Sequence, residues 1–264
     1  MGVDASQDVD EPDENGLILS CAPTTMSHFA PFSSRQRASV LAITLLGGAP
    51  LAWAGRPLDT DDAGTNGQAE CQLEAWSAHG KGSHESHVGP ACGVGGGLEF
   101  GAEYVWSHPR SSGPQGRAVG AKWAPEWLEW EGARFGLKWT GSQERDASDE
   151  APAWHWQGGS WAGIASVPLN PFWTVHANFG QQHARGPAKT STTYGLALVW
   201  TPRDEWVLFS EVLGDNHSPA GQSVGLRFWL IPDKLGLDLT HSHTNATKGS
   251  HSTGFGLGWY GISF

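Results

Sequence analysis

The feature that most constrains this chain is a two-residue alternation that returns along most of its length. From Leu98 to Trp106, Leu98, Phe100, Ala102, Tyr104 and Trp106 fall on one face, with Glu99, Gly101 and Glu103 on the other. Ala133, Phe135, Leu137 and Trp139 oppose Arg134, Gly136 and Lys138 in the same way. The pattern recurs in W-T-V-H-A-N-F from Trp173, in Y-G-L-A-L-V-W from Tyr194, in V-G-L-R-F-W-L from Val224 and in L-G-L-D-L from Leu235. Side chains alternate faces on a strand and repeat every 3.6 residues on a helix, so this pattern specifies strands. It predicts twelve, starting near residues 68, 85, 97, 116, 131, 154, 171, 190, 205, 221, 235 and 251. Most are about 8 to 12 residues long, close to what a tilted strand needs to cross a bilayer.

The connections alternate as well. G-G-G at 95–97, P-L-N-P at 168–171, T-P-R-D-E at 201–205 and I-P-D-K at 231–234 are short and turn-like. Those between them, from H-G-K-G-S-H-E at 79–85 to H-S-H-T-N-A-T-K-G-S-H at 241–251, are long and polar. Short turns at one end and long loops at the other predict an all-β fold: a transmembrane, antiparallel, up-and-down β-barrel with long extracellular loops and short periplasmic turns. The stretch W-L-E-W-E-G, Trp127–Gly132, is longer than this pattern wants. Of the fifteen tryptophans, Trp173, Trp200, Trp206, Trp229 and Trp259 fall at the short-turn ends. Trp76, Trp106, Trp139 and Trp154 fall near the long-loop ends. Two aromatic belts around an apolar band are what the two membrane interfaces favour.

Residues 1–25 hold six acids and no Lys or Arg. Arg35 and Arg37 then precede an apolar run, Ala38–Leu46, and the sequence Ala52-Trp53-Ala54. A basic stretch, a short apolar stretch and an A-x-A site define a secretory signal peptide. The expectation is an acidic leader at 1–25, a signal peptide at 26–54 with translation starting at Met26, a periplasmic segment at 55–67 and a barrel over 68–264. After Ala54 the chain carries fourteen Lys and Arg against twenty-one Asp and Glu, a formal charge of −7. Nothing is basic enough to suggest nucleic acid. Cys71 and Cys92 remain after cleavage, and an even pair in an exported chain predicts a disulfide.

The chain ends G-F-G-L-G-W-Y-G-I-S-F, with Tyr260, Ile262 and Phe264 on one parity. This resembles the C-terminal strand of bacterial outer-membrane barrels, which typically ends in Phe. The resemblance implies that these three residues form the signal read by the barrel-assembly machinery. Phe255, Leu257 and Trp259 have the opposite parity, so both sets face lipid only if a β-bulge intervenes near Trp259–Tyr260. Gly55–Gly67, G-R-P-L-D-T-D-D-A-G-T-N-G, followed by A-E-C-Q-L-E-A-W, resembles the start of a family of outer-membrane transporters labelled after the meta-pathway of phenol degradation. That match covers about twenty residues, and the rest matches only as a barrel of similar size. It implies an outer-membrane address and architecture, and no catalytic residues.

The face opposite the lipid carries Glu99, Glu103, Lys122, Arg134, Lys138, His176, Arg227 and Asp238. Buried charges must find partners. These residues therefore either neutralise one another and plug the barrel or line a polar pore of mixed sign. Eleven of the twelve histidines follow Ala54, and all of these but His176 fall in or beside long loops. Imidazole is the commonest side-chain ligand for Zn, Cu and Ni. His217, His241, His243 and His251 are the candidates, although their spacing matches no fixed metal motif and suits exposed turns equally well. H-S-H-T-N-A, His241–Ala246, superficially resembles the H-x-S-N stretch of outer-membrane lipid A deacylases, but the residue two after His241 is His243 rather than serine. The reading is a non-enzymatic channel or transporter for a small solute, aromatic or hydrophobic if the family label applies. Its partners are outer-membrane lipid and the assembly machinery, with no resident cofactor. The alternatives are a plugged barrel whose His-rich loops bind a transition metal or a surface ligand, and, more remotely, a hydrolase.

Overall fold

The computed structural model describes residues 58–264 except 82, 109–113, 147–152, 185–189, 245–249 and 264. The acidic leader, the signal peptide, the proposed cleavage after Ala54, and Phe264 lie outside the described residues. The strands are β1 (Glu70–Gly80), β2 (Ser83–Gly95), β3 (Leu98–Ser107), β4 (Pro114–Trp123), β5 (Glu129–Trp130), β6 (Ala133–Asp146) and β7 (His155–Asn170). There follow β8 (Trp173–Ala184), β9 (Ser191–Arg203), β10 (Trp206–Asp215), β11 (Gly221–Ile231), β12 (Leu235–Thr244) and β13 (Ser250–Ser263). Every long strand starts within two residues of the position that the alternation predicts.

All neighbours are antiparallel, β1 pairs with β13, and β4 pairs with β6. The sheet is therefore a closed barrel of twelve strands. Closure is physically required in lipid, where an open edge would leave a row of backbone N–H and C=O groups unbonded. The extra strand β5 explains the long connection. After a 3-10 turn at Glu126–Leu128, Glu129 and Trp130 pair back onto Arg134 and Ala133. Glu131 and Gly132, at φ of 51° and 81°, supply the two positive values that a tight two-residue hairpin turn uses.

The polarity is inverted relative to a water-soluble domain. Glu99, Lys122, His176, Glu211, Arg227 and Asp238 are buried, whereas Phe100, Val119, Phe179, Leu196, Val224 and Phe255 are each more than half exposed. Such an outward apolar band is stable only against hydrocarbon, and the polar interior is that of a transmembrane barrel.

Several local features depart from the sequence reading. The expected long loop at His79–Glu85 is mostly strand: β1 and β2 run on to a Gly80–Ser83 pair, with His79 opposite His84 and Ser77 opposite Ser86. His241, His243 and His251 likewise lie within strands. Trp76 and Trp229, expected in the aromatic belts, face the lumen, where Trp76 stacks on His87 and Trp229 meets Tyr260 edge-on. The bulge near the C-terminus is present. Cys71 pairs with Ile262 and Leu73 with Trp259, so Tyr260 and Gly261 together oppose Gln72. Gly261, at φ 64°, takes the left-handed conformation that such a bulge needs. The effect differs from the expectation. Tyr260 turns into the lumen and is almost fully buried, while Ile262 falls in register with the outward-facing Cys71. Cys71 and Cys92, directly opposed on β1 and β2, form a disulfide on the outer side near the short-turn end.

Candidate functional site

Residues 58–67, L-D-T-D-D-A-G-T-N-G, run along lumen-facing side chains of the wall. No side chain among them is large, and their backbone N–H groups are met by side chains of the wall. The Glu211 carboxylate on β10 accepts from the N–H of Asp59 at 3.1 Å and of Thr60 at 2.8 Å, and from Ser223 Oγ at 2.6 Å. Asn178 on β8 accepts from the Asp61 N–H and donates to its carbonyl, both at 2.7 Å, as a strand partner would. Ser166 Oγ on β7 accepts from the Ala63 N–H at 2.8 Å and also bonds His176 Nδ1, again at 2.8 Å. Glu99 Oε2 on β3 accepts from both the backbone N–H and the Nδ2 of Asn66 at 2.8 Å.

Charge follows the same route. Lys138 Nζ lies 2.6 Å from Asp61 Oδ2, and Lys122 Nζ sits 3.7 Å from both Asp62 and Glu99. An acidic, small-residue segment thus lies where the wall supplies lysines and acceptors, and each ion pair offsets part of the desolvation that burial imposes. Two glycines admit it. A Cβ on Gly93 would run into the carbonyls of Asn66 and Gly67, and one on Gly195 would stand 2.9 Å from Thr60 Oγ1.

The part of the wall formed by β1 and β11–β13 carries its own network. Arg227 binds Asp238 through Nε at 2.7 Å and Nη2 at 2.8 Å, a bidentate pair. It lies 4.0 Å from Glu74, which accepts from the Tyr260 hydroxyl at 2.5 Å, and its guanidinium packs over the rings of Tyr260 and Trp229. Glu103 meets His87 Nδ1 at 2.8 Å. Arg134 stands apart at the short-turn rim, where it pairs with Glu129 of β5. Beside the internal segment there remains a cavity of about 240 Å³, lined by Asp59, Thr60 and Asp61 on one side and by Glu74, Trp76, Glu103, Lys122 and Lys138 on the other.

Three of the four proposed metal ligands lie at the paired ends of β12 and β13. His243 and His241 both lie near His251, at 4.3 and 5.6 Å between ring centroids. His79, His84 and His108 form a second row at 3.8 and 4.0 Å. His217 contacts Thr190 instead, and its N–H bonds Asp215. Among the described residues no three His, Cys, Asp or Glu side chains are grouped to hold a metal ion. In the H-S-H stretch, Ser242 bonds Ser252 and His241 contacts Thr253.

Residues that the sequence reading missed are Glu74, Ser166, Asn178, Glu211 and the whole of 58–67. The inward parity of the first four was available. Their occupant was signalled only by its own run of acids and small residues facing a wall that contains Lys122 and Lys138.

The fold matches solved porin structures. The KdgM porin superimposes with a TM-score of 0.54 at 9% identity, over 71% of this chain and 98% of that one. The NanC porin does so with a TM-score of 0.51 at 7% identity, over 72% and 98%. A search of curated proteins returns no match. At such identities the likeness establishes the barrel alone. A family model, however, matches residues 41–256, which is most of the chain. The chain belongs to the family described as "Uncharacterised conserved protein UCP029691", whose barrel here encloses a segment of its own sequence.

Proposed function

We propose that this protein is an outer-membrane channel for a small polar solute, exported by its signal peptide and held shut at rest by residues 58–67. One observation carries the reading: the segment lies in the lumen through hydrogen bonds and ion pairs to wall side chains, while a cavity of about 240 Å³ persists beside it. Such contacts are exchangeable for water or for a polar solute. Thr60 Oγ1, Asp62 Oδ2 and Asn66 Oδ1 are buried without a hydrogen-bond partner among the described residues. Each such atom costs roughly 1–3 kcal/mol in place, and that cost is recovered when the segment is hydrated. The architecture shared with the KdgM and NanC porins supports a channel. The resemblance to phenol-degradation transporters suggests aromatic solutes, but the charged wall of Glu103, Lys122 and Lys138 favours polar ones.

The test is single-channel conductance of the refolded barrel in a planar bilayer, for the native sequence and for one with residues 58–67 replaced by Gly and Ser. Rare, brief openings in the first and stable open steps in the second are expected. Silence in both, with correct folding, refutes the channel.

A further inference from the structure

On the outer face, at the long-loop ends of β3, β4 and β6, two arginines sit where a membrane-facing surface should be losing charge. Arg117 donates through Nε to Gln143 Oε1 at 2.8 Å, and Arg145 donates through Nε and Nη2 to Gln115 Oε1 at 3.1 and 2.8 Å. Both guanidiniums pack over one ring, Trp154, at 4.4 and 4.7 Å from its centroid. Gln115 is itself buried and also accepts from the Tyr104 hydroxyl, so the acceptor that orients Arg145 is fixed, while Trp154 lies under both guanidiniums. Neither pairs with a carboxylate among the described residues. A guanidinium has five N–H donors, and each of these spends only its Nε and Nη2 on a neutral glutamine. Among the described residues, the Nη1 edges of the two oriented cations therefore meet no acceptor.

What lies next to them is apolar. Val119, two residues along β4 on the same face, is more than half exposed and belongs to the hydrocarbon band. Gln143, the partner of Arg117, pairs across the sheet with Trp156. Trp156 joins Trp139, Trp161 and His183 around a cleft of about 310 Å³ on the outside of the barrel. Gly141 makes room for it, since a Cβ there would stand 2.6 Å from the Trp156 ring.

We propose that this surface binds one phosphorylated lipid of the surrounding leaflet, its phosphate on Arg117 and Arg145 and an acyl chain in the cleft between Trp139, Trp156 and Trp161. Planar guanidiniums match phosphate oxygens in pairs, and two of them fixed over a tryptophan lose little side-chain freedom on binding. The apolar cleft beside them is the shape that distinguishes a lipid from free phosphate. The inference rests on the outer face meeting lipid and is independent of whether the lumen conducts.

The experiment is native mass spectrometry of the refolded barrel in a neutral detergent, titrated with diphosphoryl lipid A, with a neutral diacylglycerol, and with inorganic phosphate as competitor. The native protein should retain diphosphoryl lipid A in preference to diacylglycerol. Arg117→Gln with Arg145→Gln should weaken that retention about tenfold or more. Trp156→Ala should weaken it while leaving phosphate competition unchanged. Arg203→Gln, at the short-turn end, should leave retention intact, and unaltered heat-modifiable migration on gels should show each variant folded. Equal retention by the double arginine variant, equal retention of diacylglycerol, or full displacement by millimolar phosphate would each overturn the proposal.

Discussion

Glu211 is the wall residue on which the occupied lumen most depends, and its replacement gives a graded test. Its carboxylate is almost fully buried and accepts from two consecutive N–H groups of the internal segment and from Ser223. Hydrogen bonds to a charged acceptor contribute ~1.5–3 kcal/mol each. In Glu211→Gln the amide can keep its oxygen toward Asp59 and Thr60 and turn its NH₂ toward Ser223, whose hydroxyl can accept instead of donate. Charge assistance is then lost but not the bonds, a cost of ~1–2 kcal/mol. In Glu211→Ala both N–H groups lose their acceptor inside the barrel, and the cost is ~3–5 kcal/mol. Because ~1.4 kcal/mol is a factor of ten, the ratio of open to closed states should rise roughly 5- to 30-fold for Gln and more than 100-fold for Ala. Open probability in single-channel records reads this ratio directly. Protease sensitivity of the segment in folded barrels should rise in the same order. Native-like closed dwell times in both variants, with intact folding, would refute the claim that Glu211 holds the segment.

Gly93→Ala should act from the other end of the segment, raising open probability without touching a charge, because the added methyl collides with the carbonyls of Asn66 and Gly67. Tyr260→Phe removes the donor to buried Glu74 and should lower stability by ~1–3 kcal/mol, read as a shifted midpoint in guanidinium unfolding followed by tryptophan fluorescence. Reduction of Cys71–Cys92, or Cys71→Ser with Cys92→Ser, frees a loop closed across 21 residues and should cost ~3 kcal/mol in the same assay without altering conductance. N-terminal sequencing of protein purified from membranes should begin at Gly55; a chain that still carries Asp4 would contradict the signal-peptide assignment.

The strands were legible because a barrel in lipid has no other way to arrange its polarity. Each strand must alternate, and each must span a fixed thickness, so twelve starts could be read to within two residues. Where the reading failed, a cross-strand partner overrode local composition. His79 and His84 are polar, flank a glycine-rich turn and look like loop residues, yet their rings stack across β1 and β2 and extend the hairpin. Trp229 and Tyr260 look like belt aromatics, but Arg227 lies between them inside the barrel and offers both rings a cation. Tyr260 keeps the inward parity of Gly256 and Gly258, and the bulge at Gly261 reverses only the residues after it, which brings Ile262 opposite the outward-facing Cys71.

The internal segment was not legible for a different reason. It has no periodicity, because it forms no ladder and borrows its partners one at a time from β3, β7, β8 and β10. What it does have is stoichiometry. Asp61 and Asp62 answer Lys138 and Lys122, and its bare N–H groups answer Glu211, Asn178 and Ser166. Lys122 alone could have been neutralised by Glu99, so the wall did not require an occupant. Lys138 has no other acid within reach among the described residues, and it is the residue whose pairing argues for one. Lys138→Met is therefore the sharper probe of why the segment enters: it leaves Asp61 unpaired in the lumen and should release the segment without disturbing the wall. Lys122→Met should in addition strand Glu99 and cost barrel stability. A Lys138 variant that unfolds as readily as the Lys122 variant would mean that the two lysines stiffen the barrel together, and that the segment is packing rather than a gate.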